Sequence, residues 1–175
     1  AIYSKLSNFD TDWSSWYVYF GDERCLPITH PDRNSLMVND SWLTRSEIPS
    51  AQVFPIPGEV GNMKAAEQYE NIIAKVEQFD LVLLGFGEDG HIASLFPGHL
   101  IDENRLVIPV FDAPKAPSER VSLTIKSLSN TMNVIFLVAG KNKAKAFSLW
   151  EDISKTPASL ISAKNDVRIL TFDIS

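Results

Sequence analysis

Hydrophobic and polar positions along this chain fall into two alternating kinds of pattern. The first is a short apolar or aromatic run cut off by a glycine or a charge. Trp16-Tyr-Val-Tyr-Phe20 stops at Gly21, Leu81 to Leu84 lies between Asp80 and Gly85, and Asn133-Val-Ile-Phe-Leu-Val-Ala139 ends at Gly140. Leu106-Val-Ile-Pro-Val-Phe111, Arg120-Val-Ser-Leu-Thr-Ile125 and Val167-Arg-Ile-Leu-Thr-Phe172 are similar. These runs, rich in β-branched and aromatic residues, predict strands. The uninterrupted apolar run 81–84 predicts a strand covered on both faces. Val53-Phe-Pro-Ile56 is a shorter extended piece that Pro55 marks as an edge. The second pattern is helical. Ala65, Ala66, Tyr69, Ile72, Ile73 and Val76 recur at three/four spacing and predict a helix over 62–76, with Asn62 as its N-cap. Shorter helices are predicted over 34–43, over 143–150 (Ala144, Phe147 and Trp150 near one face) and over 158–162 behind Pro157. Strands alternating with helices imply an α/β fold with a mainly parallel sheet flanked by helices. No linker, repeat or low-complexity tract divides residues 1–175, so a single domain is expected.

Composition narrows the function classes. The 175 residues are 45% hydrophobic and 22% charged, values of a folded domain with a sizeable core. No stretch is long and apolar enough to span a membrane. The formal net charge of -6 argues against a nucleic-acid partner, although a few local cations can still make a cleft attractive to a small anion. One cysteine, Cys25, excludes an internal disulfide and suits a reducing, cytoplasmic setting. The three histidines and the cysteine show no metal-ligand spacing, so no metal is expected.

The candidate chemistry concentrates in Asp80-Leu-Val-Leu-Leu-Gly-Phe-Gly-Glu-Asp-Gly-His-Ile-Ala-Ser-Leu-Phe-Pro-Gly98. It reads as a strand, a glycine-rich turn, and a histidine where the turn would open into a helix. Gly85-Phe-Gly87-Glu-Asp-Gly90 matches the dinucleotide fingerprint G-x-G-x-x-G, and Asp112 lies where a ribose-binding acid would be expected. Two features oppose that reading. Pro97-Gly98 allows no helix long enough to cross to a neighbouring strand, and Glu88 and Asp89 would repel a pyrophosphate. His91 is instead a candidate general base, with Asp89 placed to orient its ring. Backbone N–H groups around Gly87 to Gly90 are candidate donors to a developing oxyanion.

Other candidates also follow strand ends, where open α/β sheets bind ligands. Gly21-Asp22-Glu23-Arg24 could hold a polyhydroxylated anion or form a surface ion cluster. Gly140-Lys-Asn-Lys143 puts two lysines where a helix begins, either for an anion or simply solvated. Arg120 at a strand start is by itself compatible with a solvated arginine. Ser94 is not in a G-x-S-x-G elbow, so a serine hydrolase is not expected. His30 and His99 lie in loops and suggest no role.

Taken together, Leu83-Leu-Gly-Phe-Gly-Glu-Asp-Gly-His-Ile-Ala-Ser-Leu-Phe-Pro-Gly98 resembles the signature of 6-phosphogluconolactonases. Phe20-Gly-Asp-Glu-Arg24, Arg120-Val-Ser-Leu-Thr124 and Gly140-Lys-Asn-Lys-Ala144 resemble the same family in the same order. His30-Pro-Asp-Arg-Asn34 resembles its H-P-x-S-N loop, but with Arg33 where serine is usual, which puts a polar contact from that position in doubt. The resemblance covers nearly the whole chain. It implies a Rossmann-like fold and hydrolysis of 6-phosphoglucono-δ-lactone to 6-phosphogluconate, in the oxidative pentose phosphate pathway, without metal or cofactor. It also implies roles: His91 activates water, Asp22 lies near the reacting end, Arg24 lies in the pocket, and Arg120 and Lys143 hold the phosphate. The implied partner is the small sugar-phosphate lactone. Functional coupling to glucose-6-phosphate dehydrogenase, or fusion with it, is a further expectation.

Two competing readings accompany it. Glucosamine-6-phosphate deaminases resemble this chain in the Asp-Glu pair and Asp-Gly-His, but they continue with an Asn-Glu pair where Ser94-Leu95-Phe96 stands here. A non-catalytic sugar-phosphate binding module would keep the pocket without turnover. The resemblance also implies a first strand and helix with a Ser/Gly-rich phosphate loop, and nothing like them precedes Trp16. The expectation is therefore an N-terminally incomplete domain whose sheet exposes apolar surface, and which is unstable without the absent part.

Overall fold

In the computed structural model, residues 2–99, 102, 104–150 and 156–174 are described. A short helix α1 (Tyr3–Leu6) leads through a 3-10 turn (Trp13–Ser15) to β1 (Val18–Tyr19) and β2 (Asp22–Arg24). Next come α2 (Asn34–Ser41), β3 (Val53–Phe54), α3 (Asn62–Ile73) and β4 (Phe79–Gly85). The second half contributes β5 (Val107–Val110), β6 (Arg120–Leu123), α4 (Ile125–Ser129), β7 (Thr131–Ala139), α5 (Ala144–Phe147) and β8 (Asp166–Phe172).

The strands form three groups. β4, β7 and β8 pair in parallel in that order, and β1 pairs in parallel with β3. β2, β6 and β5 form an antiparallel sheet. The α/β class with parallel strands and helices is thus as the periodicity predicts. The antiparallel sheet is an addition that a run-by-run reading of strands does not show, because pairing direction leaves no mark on so short a strand.

Three local expectations are corrected. The cap of α3 is Gly61, at φ +86, and Asn62 is the first helical residue. The Asn62 side chain is buried and donates to the carbonyl of Val110 at 3.1 Å, which ties α3 to β5. The helix predicted over 143–150 is reduced to a 3-10 turn (Lys141–Lys143) followed by the single turn of α5. The run 81–84 is not covered on both sides. Val82 and Leu84 are buried, but Leu81 is 50% exposed, and across the sheet Leu170 and Phe172 are exposed too. Side chains alternate along a strand. Only the face bearing Val82, Leu84, Val134, Phe136 and Val138 meets the core, where Trp150 packs edge-on against Phe136. Among the described residues no helix is long and apolar enough to cross a membrane.

Two further polar ties fix α3 in place. The hydroxyl of Tyr69, a fully buried residue, accepts from the N–H of Phe20 at 2.8 Å and donates to its carbonyl at 3.1 Å. The Glu70 carboxylate receives two bonds from Arg105 and one from the N–H of Leu106. Burial is the largest single influence on Glu70 and favours its neutral form, but these donors together hold its pKa below the usual carboxyl value. A carboxylate lowered on folding adds stability above its unfolded pKa of about 4.3, and loses it as pH falls through the folded value. Melting temperature should therefore drop more steeply with acid in the parent than in Glu70→Gln. Thermal melts between about pH 6 and pH 3 check this, and parallel curves would contradict it.

Candidate active site

β4 delivers the chain to the candidate base. It ends at Gly85, and the turn that follows closes on itself: Gly87 N–H donates to the carbonyl of His91 at 2.8 Å and Gly90 N–H to that of Gly87 at 3.1 Å. No helix follows, contrary to the sequence expectation. Residues 91–99 instead form a tight reversal, with Ile92 and Leu95 paired to each other. Positive φ at Gly90, Ala93 and Gly98, together with Pro97, is incompatible with a continuing helix. A crossing helix, which a dinucleotide site requires, is absent here.

His91 lies at the surface of this turn with its side chain 26% exposed. Its Nδ1 is 2.5 Å from Asp89 Oδ1, and its N–H donates to the same oxygen at 3.2 Å. Burial is the largest influence on Asp89 and acts to raise its pKa. The bonds and charge of His91 outweigh it and keep the carboxyl below its usual value. A carboxylate on Nδ1 favours the tautomer that leaves Nε2 as the proton acceptor.

The geometry narrows the candidate donors around Gly87 to Gly90. The N–H groups of Gly87, Gly90 and His91 are engaged within the turn, so they do not stand ready for a substrate oxygen. Gly87 serves the histidine sterically. A Cβ there would lie 2.1 Å from His91 Nδ1 and 2.7 Å from Asp89 Oδ1, inside the pair itself. Gly87→Ala should therefore displace the ring from Asp89 and cost on the order of 100-fold in turnover, as a displaced catalytic group does. Steady-state kinetics beside a circular dichroism spectrum check this; a folded variant with parental turnover would contradict it.

The antiparallel ladder places the remaining groups. Asp22 faces Ser122 and Arg24 faces Arg120 in register across β2 and β6. With the side-chain period of two, all four project from one face of that sheet. Asp22 Oδ1 accepts from Asn34 Nδ2 at 3.0 Å, and Oδ2 from the Ser94 hydroxyl at 2.6 Å. Burial raises the Asp22 pKa, while the Ser94 bond and the charges of Arg24 and Arg120 pull it back. Arg120 is buried, at 6% exposure, and its pKa is lowered by that burial and by Arg24, against the pull of Asp22. It donates from Nε to the carbonyl of Pro117 and from Nη2 to that of Lys115, which fixes the proline-rich loop.

Phe96, to which the sequence reading gave no role, joins the two halves. The His91 ring sits 4.9 Å from its centroid, and the Arg120 guanidinium lies over it at 5.6 Å. His99 packs on the same ring at 5.5 Å. Asp89, His91 and Arg120 are thus linked directly or through Phe96, and Asp22 reaches the same turn through Ser94, while Arg24, opposite Arg120 in the ladder, donates from its guanidinium to the carbonyl of Asp32 at 2.5 Å. Lys143 closes the 3-10 turn Lys141–Lys143. That turn meets the histidine turn through Asn142, whose amide donates to Glu88 Oε2 at 3.0 Å, while Lys115 pairs with Glu88 Oε1. The same contacts hold the Glu88 carboxyl below its usual pKa. Asn142 and Lys115 carried no recognisable spacing signal, because their partner is distant in sequence.

On this α/β frame a histidine–carboxylate pair thus lies beside a pair of arginines that face each other across β2 and β6. Residues 1–170 match the family of glucosamine-6-phosphate isomerases and 6-phosphogluconolactonases, and the chain belongs to that family. It is 35% identical to 6-phosphogluconolactonase 3 of Arabidopsis thaliana, over 89% of this chain and 54% of that protein. It is 34% identical to 6-phosphogluconolactonase of Synechocystis sp., over 95% and 74% respectively. The chain spans about half the length of the plant relatives it matches. The crystal structure of 6-phosphogluconolactonase from Thermotoga maritima superposes with a TM-score of 0.90 at 29% identity, over 98% of this chain and 79% of that one. A monomeric glucosamine-6-phosphate deaminase shares the fold at a TM-score of 0.73 and 20% identity.

Proposed function

We propose that the protein hydrolyses 6-phosphoglucono-δ-lactone to 6-phosphogluconate, with His91 as the base that activates water. The observation that carries this reading is the His91–Asp89 pair, seated over Gly87 and joined through Phe96 to Arg120. With Nδ1 held by Asp89, Nε2 takes a proton from water as the oxygen attacks the lactone carbonyl. The tetrahedral oxyanion then collapses, the ring C–O bond breaks, and the leaving oxygen recovers the proton from the imidazolium. A lactone is an activated ester, so a positioned base and nearby positive charge suffice and no metal step is required.

Arg120 and Lys143 are assigned to the phosphate, and Arg24, beside Arg120 in the ladder, to the sugar acid. Asp22 balances the two arginines near the reacting end. The names of the relatives support the lactonase reading, and so does Ser94. Its hydroxyl is committed to Asp22, not to His91, which leaves water as the nucleophile. A cytoplasmic setting and coupling to glucose-6-phosphate dehydrogenase remain parts of this proposal.

The discriminating experiment supplies the lactone from glucose 6-phosphate and its dehydrogenase and compares its decay with the spontaneous rate. Glucosamine 6-phosphate is tested in parallel for ammonia release. Lactone hydrolysis without ammonia is the expected result; ammonia release alone would assign the deaminase reaction, and neither would leave a binding module. Lys143→Ala should raise KM by roughly 10-fold or more with kcat largely retained, because it removes binding common to ground and transition states. An unchanged KM would refute the phosphate assignment.

A further inference from the structure

Two residues beyond His91 the backbone enters the left-handed region at a residue that is not glycine: Ala93 has φ +47. Such a conformation persists where the surroundings hold it. The next residue supplies the hold. Ser94 is 2% exposed, and its two donor groups are both engaged. The hydroxyl donates to Asp22 Oδ2 at 2.6 Å, and the backbone N–H donates to Ser122 Oγ at 3.2 Å. Asp22 and Ser122 are direct partners across β2 and β6. One serine therefore fastens the histidine turn to one rung of the ladder. Two residues along, on the same face, the paired residues are Arg24 and Arg120. The rung is itself braced, because Asn34 at the start of α2 donates to the other Asp22 oxygen and to the Asp22 carbonyl.

We propose that Ser94 is a positioning residue that sets the separation between His91 and the Arg24–Arg120 pair by anchoring the histidine turn to the Asp22–Ser122 rung. The alternative is a serine that merely satisfies a buried carboxylate. The two differ in what its removal does. Loss of a filler lowers stability and leaves the base where it was. Loss of an anchor lets the turn relax, moves His91 relative to the substrate held by the arginines, and lowers kcat with little change in KM.

The activity arm of the test rests on the lactonase reading, so a second arm is independent of it. In the full-length protein, Ser94→Ala should reduce kcat by roughly 10- to 100-fold with KM within about twofold, at a temperature well below its melting point. In an Asp22→Ala background the same substitution should add almost no further loss, since the anchor is already gone. In the NMR spectrum, the Nδ1-bound proton of His91 should shift or broaden in Ser94→Ala, whether or not the protein turns over lactone. Should Ser94→Ala fail to fold, Ser122→Ala removes the acceptor of the Ser94 N–H, along with a hydroxyl bond to the neighbouring Leu123 carbonyl, and leaves the Ser94–Asp22 bond in place, so a smaller loss of the same kind is expected. An unchanged kcat and an unchanged His91 resonance would overturn the proposal, as would an undiminished effect of Ser94→Ala in the Asp22→Ala background. A parent protein inert toward lactone, with the resonance shift intact, would refute the functional reading and leave the anchor standing.

Discussion

His91→Ala should eliminate lactone hydrolysis above the spontaneous rate while leaving the fold intact. A positioned general base contributes on the order of 10²- to 10⁴-fold, so the variant should lose at least 100-fold in kcat. The fold should survive because the ring is partly exposed and its polar contact is to Asp89, which can turn to water. Its packing against Phe96 is lost, but Phe96 keeps Arg120 and His99. Initial rates at saturating lactone measure the first effect, and the circular dichroism melting curve the second. A well-folded variant with kcat within a few-fold of the parent would remove His91 from the mechanism.

Arg33→Ala should be the most destabilising single substitution near the site. Arg33 is 3% exposed and lies 3.5 Å from the fully buried Glu23 and 2.7 Å from Glu59. It also donates to the carbonyls of Leu26 and Ile56. Glu23 in turn accepts from the N–H groups of Arg24, Asn34 and Ser35, and so holds the start of α2 against β2. Removing one member of a buried ion pair leaves an uncompensated charge and costs about 3–5 kcal/mol. Asn34, which braces Asp22, hangs from the same network, so activity should fall with stability. Urea denaturation of Arg33→Ala against the parent measures the effect; a loss under about 1 kcal/mol, the range of an exposed pair, would show that the cluster is not a structural node.

Arg33 also marks where the sequence stops being readable. Its departure from the serine of the related motif left polar contacts at that position in doubt. In the structure the longer side chain reaches Glu59, which is 26 residues away in sequence, and no local pattern announces such a partner. Apolar runs bounded by glycine or charge made β4 and β7 legible as strands, and three/four apolar spacing made α3 legible as a helix, but the run in β4 does not reveal that only one of its faces is covered. The strand groups were less so. The antiparallel pairing of β2 with β6, on which the placement of Asp22, Arg24 and Arg120 depends, is a long-range fact. His91 and Asp89 were legible as a pair since they share one turn. The role of Gly87 is only half visible in the sequence: the glycine stands in the turn, but what it makes room for depends on the imidazole folding back over it. The helix expected after His91 failed because Ala93 adopts a conformation that alanine rarely takes, held there by a serine bound to a distant strand.

On the proposed function, His91 and the groups around it open a sugar-phosphate lactone with water and without a metal step. The most direct measurement is the decay of 6-phosphoglucono-δ-lactone, generated in place, as a function of concentration of the full-length protein in the presence of a chelator. The rate should rise linearly with protein above the spontaneous value and be unaffected by the chelator. A rate equal to the buffer blank at every protein concentration, or one abolished by chelation, would contradict it.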